Sequence, residues 1–193
     1  MFGFSRGKVD YEKIFISTNE TYEYIYGDKS KTAEILGDEK FIEAWLDSKN
    51  IASISGLIKN EALKGNIPSL KQMIWLSDLY FNDADNLPIN ENQKLEIKIA
   101  SLKGRIMFCE KAIEFGLDQS YYAMISCANL YLILTKQLKT DISDKSTINA
   151  LNGIVKHAKS FINSDYNDAE LIKDAKKLLE QYAPLAQLIN SLR

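Results

Sequence analysis

The chain is poor in the residues that do chemistry. Its 193 residues hold one histidine, His157, and two cysteines, Cys109 and Cys127. A lone histidine with no second histidine or cysteine at ligand spacing excludes the usual zinc sites. Without C-x-x-C spacing, the two thiols suit a reducing compartment, where cysteine serves as a small hydrophobe. No G-x-S-x-G elbow accompanies His157, so a Ser-His-Asp triad would have to be assembled from distant residues. A phosphate-binding glycine loop is also lacking: Gly3, Gly7 and Gly104 have neither a G-x-G partner nor a trailing Gly-Lys-Ser/Thr. Asp83-Ala84-Asp85-Asn86 opens like a calcium loop, but it has no glycine, and Lys94 stands where the closing glutamate belongs. His157 therefore reads as a partly exposed helix residue, and the chain as non-enzymatic, with no metal or cofactor.

Long apolar runs are missing as well. Nothing approaches 18 consecutive apolar residues, and Met1 to Lys8 lacks the apolar core of a secretory signal, so neither a membrane nor secretion is expected. The expected location is the cytoplasm, and the abundance of Lys, Asn and Ile points to a bacterial source. A formal charge of −2 and a pI near 5.6 exert no general pull on nucleic acid. That balance hides an asymmetry. Residues 10–47 carry ten acids, including Glu34, Asp38, Glu39, Glu43 and Asp47, against Lys13, Lys29, Lys31 and Lys40. The simplest account of these acids is solvated helix faces, with Asp38 as a helix cap.

What the chain does have is helical pattern, repeated. Gly65 to Tyr80 aligns without gaps onto Gly116 to Tyr131, with six of sixteen positions identical: Gly65/Gly116, Ser69/Ser120, Met73/Met124, Ile74/Ile125, Leu79/Leu130 and Tyr80/Tyr131. Self-similarity at a fixed offset marks stacked repeats. The pattern predicts a glycine ending one helix in the left-handed cap conformation, and a serine starting the next. Tyr80 and Tyr131 are expected to be equivalent packing residues. Trp45, Trp75, Met73 and Met124 are expected in the core.

Taken in order, residues 11–26 read either as a hairpin or as an additional helix. Asp38 to Asp47 carries a Phe41, Ile42, Trp45, Leu46 stripe, and Ile51 to Lys64 forms a further short helix. The first repeat helix spans about 68–81, followed by a polar loop to Asn92. Leu95, Ile99, Leu102, Ile106, Cys109 and Ile113, spaced 4, 3, 4, 3, 4, predict a helix of about twenty residues. The second repeat helix shows Tyr121, Met124, Ile125, Ala128, Tyr131, Leu132, Thr135 and Leu138 on one face. Ile148, Leu151, Val155, Ala158 and Ile162 define the next helix. Leu171, Ile172, Ala175, Leu178, Leu179 and Tyr182 define another, and Pro184 opens a last short one. The expected fold is all-α: one domain of antiparallel helix pairs in a short solenoid. It comprises an acidic part (1–59), a repeat core (60–182) and a capping helix (183–193).

The segment Phe108-Cys109-Glu110-Lys111-Ala112-Ile113-Glu114-Phe115-Gly116 resembles the W-Y-x-K-A-A-E-x-G helix end of Sel-one-like repeats, a branch of the tetratricopeptide superfamily. Leu76-Ser77-x-x-Tyr80 and Cys127-Ala128-x-x-Tyr131 resemble that family's L-G-x-x-Y helix, and Val155-Lys156-His157-Ala158 resembles a worn helix end. The resemblance covers about residues 60–160, at an offset of 51 residues that exceeds the family's usual period. It implies a degenerate tetratricopeptide-like array of helix pairs that binds other proteins without catalysis. Within that class, a stand-alone binding module with an acidic N-terminal part suits a toxin-neutralising protein of the immunity or antitoxin type. Its partner would be a basic toxin domain met by Glu34, Asp38, Glu39, Glu43 and Asp47. The alternative is an adaptor that gathers cellular proteins on a concave face.

Overall fold

A computed structural model describes residues 51–117, 120–138, 144–165 and 168–191. The expected hairpin or helix at 11–26, the 38–47 helix and the acidic residues Glu34, Asp38, Glu39, Glu43 and Asp47 lie outside these residues. The described residues are 88% helical, with no strand, so the fold is all-α. The helices are α1 (Ile51–Leu63), α2 (Ile67–Asp83), α3 (Glu91–Glu114), α4 (Ser120–Gln137), α5 (Lys145–Ile162) and α6 (Ala169–Ser191), with a 3-10 turn at Ala84–Asn86. The chain divides into two compact units, Met1–Gln72 and Met73–Arg193, with the boundary inside α2.

In the first unit, α1 ends where the sequence places its punctuation. Gly65 has φ 93°, its N–H donates to the Ala62 carbonyl, and the Asn66 N–H reaches back to Glu61. This is a Schellman cap, which needs a residue that accepts the left-handed region at low cost. Gly116 closes α3 with the same pair of bonds, to Ile113 and, from Leu117, to Ala112, at φ 82°. Of the two serines, Ser120 does begin α4, whereas Ser69 does not begin α2. α2 begins at Ile67 with Asn66 as its cap, accepting from the Ser69 N–H at 3.0 Å, and Ser69 is buried in the first turn. An Asn side chain one turn earlier satisfies the free N–H groups, so the serine is released to pack.

From α3 onward the second unit is a run of helices, each packed on the next in sequence, with α6 also touching α4 and the 3-10 turn packed on α3. Side-chain contacts fix their directions. Asp78 meets Arg105 and Asp85 meets Lys98, so the end of α2 runs antiparallel to α3. Lys103 lies over the Tyr131 ring, and Tyr121 faces His157. Asn129 and Tyr182 bond across α4 and α6, which run parallel. Helix starts are capped by short polar side chains that bind free N–H groups. Asn90 and Gln93 form a reciprocal capping box on α3, Asp144 caps α5, and Asp168 accepts from Glu170 and Leu171 at α6.

The core of this unit comes from every helix after α2, centred on Met124, Ile125, Tyr131, Ile154 and Phe161, all essentially inaccessible. Each such side chain contributes roughly 1.5–3 kcal/mol by leaving water. Of the expected α5 stripe, Ile148, Leu151 and Ala158 are buried and Val155 and Ile162 only half-buried, while Ile154 and Phe161, outside that stripe, are among the most buried residues. α5 lies between α4 and α6 and so buries two faces, which a single-stripe reading misses.

Three further expectations are corrected. Tyr131 is 1% exposed while Tyr80 is 47% exposed, so the two tyrosines are not equivalent packing residues. Tyr131 is enclosed because α3 and α5 flank it, with Lys103 and Ala150 beside its ring; identity of sequence does not carry those neighbours along. Trp75 is exposed, whereas Met73 and Met124 are buried as expected. The separate capping helix at 183–193 does not form, because α6 continues through Pro184 to Ser191. Proline removes one helical bond, to the carbonyl four residues back at Glu180. Both residues are exposed, so water can take that carbonyl, while Ala175, Tyr182 and Ala186 keep one buried stripe in register across the proline.

Candidate functional site

The outer side of α4 carries two neighbouring recesses, both within the second unit. The first, of about 380 Å³, lies between the end of α2 and α4. Its floor is apolar, formed by Leu102, Cys127 and Phe161, and its rim carries Asn82, Ser126 and Tyr122. Arg105 and Asp78 are the charged residues in its lining, and Arg105 Nη1 donates to Asp78 Oδ1. Arg105 Nε is buried without a hydrogen-bond partner. The second recess, of about 280 Å³, is formed by Tyr122, Ser126, Asn129 and Ile133 of α4 with residues of α6 such as Asp174, Leu178 and Gln181. Tyr122 and Ser126 belong to both, so the two recesses form one surface.

Helical spacing builds this surface. Residues 122, 126, 129 and 133 recur at 4, 3 and 4, which keeps them on one side of α4. Tyr122 bonds to Asp174 and Asn129 to Tyr182, offsets of 52 and 53 residues; the same register puts exposed Ile133 level with exposed Leu185. The Tyr122 ring also tilts against Phe161 at 5.8 Å. Burial raises the Tyr122 hydroxyl above its ordinary pKa, and the Asp174 carboxylate adds to the shift by opposing a nearby negative charge. Burial raises the Tyr182 hydroxyl likewise. Both hydroxyls act as hydrogen-bond donors within the chain, Tyr122 to Asp174 and Tyr182 to Asn129, and so tie α4 to α6.

Of the residues singled out for chemistry, only Cys127 borders this surface, in the floor of the first recess. His157 is 3% exposed, so the expectation of a partly exposed histidine is corrected. Both ring nitrogens are buried without a hydrogen-bond partner, and Glu110 Oε1 is 3.8 Å from Nε2, beyond bonding distance. Tyr121 lies beside the imidazole with ring centroids 5.8 Å apart. Gly153, one turn earlier on α5, leaves the space that the Met124 methyl group fills, since a Cβ there would stand 2.4 Å from it. Cys109 and Cys127 are buried free thiols. Burial pushes Cys109 up to about 12 and the neighbouring Cys127 adds to it, while Arg105 opposes the shift. Burial raises Cys127 too. Such thiols are poor nucleophiles. Asp85 of the calcium-like loop lies in the 3-10 turn Ala84–Asn86 and pairs with Lys98 at 2.7 Å.

Among the described residues, no group of three His, Cys, Asp or Glu side chains could hold a metal ion, and no helix is long and apolar enough to cross a membrane. Sequence reasoning missed this site because its members, Asp78, Arg105, Tyr122, Ser126 and Asp174, form no motif. The available signal was the residue set on α4 opposite its apolar stripe. No protein-family model matches the chain, and no curated protein or solved structure matches it.

Proposed function

We propose that this chain is a non-enzymatic protein-interaction module, a cytoplasmic bacterial neutraliser of the immunity or antitoxin type that occupies a basic toxin domain. The observation that carries the reading is the continuous surface on α4 and its neighbours. Its aromatic and apolar side chains, Tyr122, Ile133 and Leu178, sit among amide, hydroxyl and charged groups. Interfaces favour this composition, with aromatic anchors inside a polar rim. The paired glycine caps at Gly65 and Gly116 support kinship with tetratricopeptide-like arrays, in which helix pairs present such surfaces. The acids at Glu34, Asp38, Glu39, Glu43 and Asp47 supply the charge that would steer a basic partner.

The test is functional. The product of the gene adjacent to this one is expressed alone and then together with this chain. Growth arrest by the first, relieved by the second, is the expected result. Reversing Glu34, Glu43 and Asp47 to Lys should then slow association about tenfold at low salt, and less at high salt. A neighbour that is harmless to the cell would defeat the neutraliser reading and turn attention to the adaptor alternative. An association rate unmoved by the reversals would show that the partner need not be basic.

A further inference from the structure

The 380 Å³ recess between α2 and α4, one part of the α4 surface, also has the size of a small-molecule site. It combines a buried apolar floor with a few polar groups at its mouth, the arrangement of small-molecule sites, and its volume falls in their range of roughly 300–1,000 Å³. Its charged lining consists of one cation and one anion, Arg105 and Asp78, so the net charge of the walls is zero. These two groups do not exhaust each other. One guanidinium nitrogen, Nη1, meets one carboxylate oxygen, Oδ1, and Nε is left buried without a partner. A carboxylate carries two oxygens and a guanidinium five donors, so each can take a second partner of opposite charge.

We propose that this recess binds a free α-amino acid with an apolar side chain. Its carboxylate would bond to Arg105, its ammonium to Asp78, and its side chain would lie on Leu102, Leu130 and Phe161. A net-neutral zwitterion matches a net-neutral wall, whereas a simple anion or cation would leave one of the pair opposed by like charge. The apolar floor selects for an aliphatic or aromatic side chain, and Asn82 and Ser126 at the rim offer further hydrogen bonds to the polar end. This assignment goes beyond the protein-binding role and does not depend on it.

Isothermal titration calorimetry on the full chain at neutral pH tests it, with L-phenylalanine and L-leucine as ligands. Phenethylamine and 3-phenylpropionate serve as analogues that each lack one charge. Saturable one-to-one binding of either amino acid is expected, with each analogue weaker by about tenfold or more, the value of a charge-assisted hydrogen bond. Arg105→Gln should remove the preference for L-phenylalanine over phenethylamine, and Asp78→Asn the preference over 3-phenylpropionate. Ser126→Trp, at an exposed rim position, should abolish binding while leaving the helical spectrum intact, so the test survives if either charge variant fails to fold. Absence of binding by both amino acids at about 10 mM would overturn the proposal. Equal affinity for 3-phenylpropionate would also overturn it, as would binding that persists in the Ser126→Trp variant. No protein partner enters these measurements, so their failure leaves the neutraliser test untouched.

Discussion

Gly116 offers the cleanest test of why the helices turn where they do. Its φ of 82° lies in the left-handed region, and a Cβ added there meets nothing within 4 Å. Substitution therefore introduces backbone strain without a clash. For an L residue the left-handed conformation costs roughly 1–2 kcal/mol. Loss of glycine also stiffens the unfolded chain, which returns roughly 0.4–1 kcal/mol. Gly116→Ala should thus destabilise the second unit by about 1 kcal/mol, which is about 3 °C in a chain of this size. Gly116→Asn should cost less than half of that, since asparagine tolerates this region. Gly116→Val should cost the most, because a β-branched side chain fits it worst. Urea denaturation followed at 222 nm measures the series through its midpoints, with the slope expected to stay constant. Equal stability of glycine and alanine would refute the cap, as would a valine variant no worse than alanine.

Other positions give independent checks. Tyr131→Ala should cost about 3 kcal/mol or more, and Tyr80→Ala less than about 0.5 kcal/mol; equal losses in urea melts would contradict their different burial. Cys109 should make stability fall in alkali. Its thiol is held up to about 12 in the fold, against about 8.5 in an unfolded chain, so the neutral form is favoured by folding. That contribution is complete below about pH 8.5 and is lost as pH rises toward 12; Cys109→Ala should flatten this part of the pH–stability curve. His157→Leu should leave stability unchanged or raise it by about 1 kcal/mol, since both buried nitrogens lack partners. A loss above about 2 kcal/mol in thermal melts would mean that the imidazole has a bonding role.

Much of the architecture was legible without coordinates. Apolar residues at 3.6-residue spacing have one low-energy solution, a helix with that stripe turned inward, so helices at 51–63, 91–114 and 120–137 follow from the pattern. The glycines at 65 and 116 end helices for a reason local to the backbone, and a local cause can be read locally. Asn66 was legible in principle too, as an Asx residue directly before the helix, but the serine three residues on competed for the same role.

What the sequence determined by itself was therefore the all-α class, the turns at Gly65 and Gly116, and one apolar face per helix, because each depends on contacts within a few residues. Tertiary structure alone decided the rest. Tyr80 and Tyr131 end aligned stretches that share six of sixteen residues, yet their environments are opposite, since burial depends on which helices lie across a residue. Pro184 could have broken α6, but a stripe buried from Ala175 to Ala186 held the helix together. Ile154 and Phe161 became central only because α5 is covered on two sides. The recesses on α4 join Asp78 to Arg105 and Tyr122 to Asp174, pairs 27 and 52 residues apart that meet only when parallel and antiparallel helices stack in register. A site made of such pairs leaves no motif in the chain, because its geometry belongs to the packing.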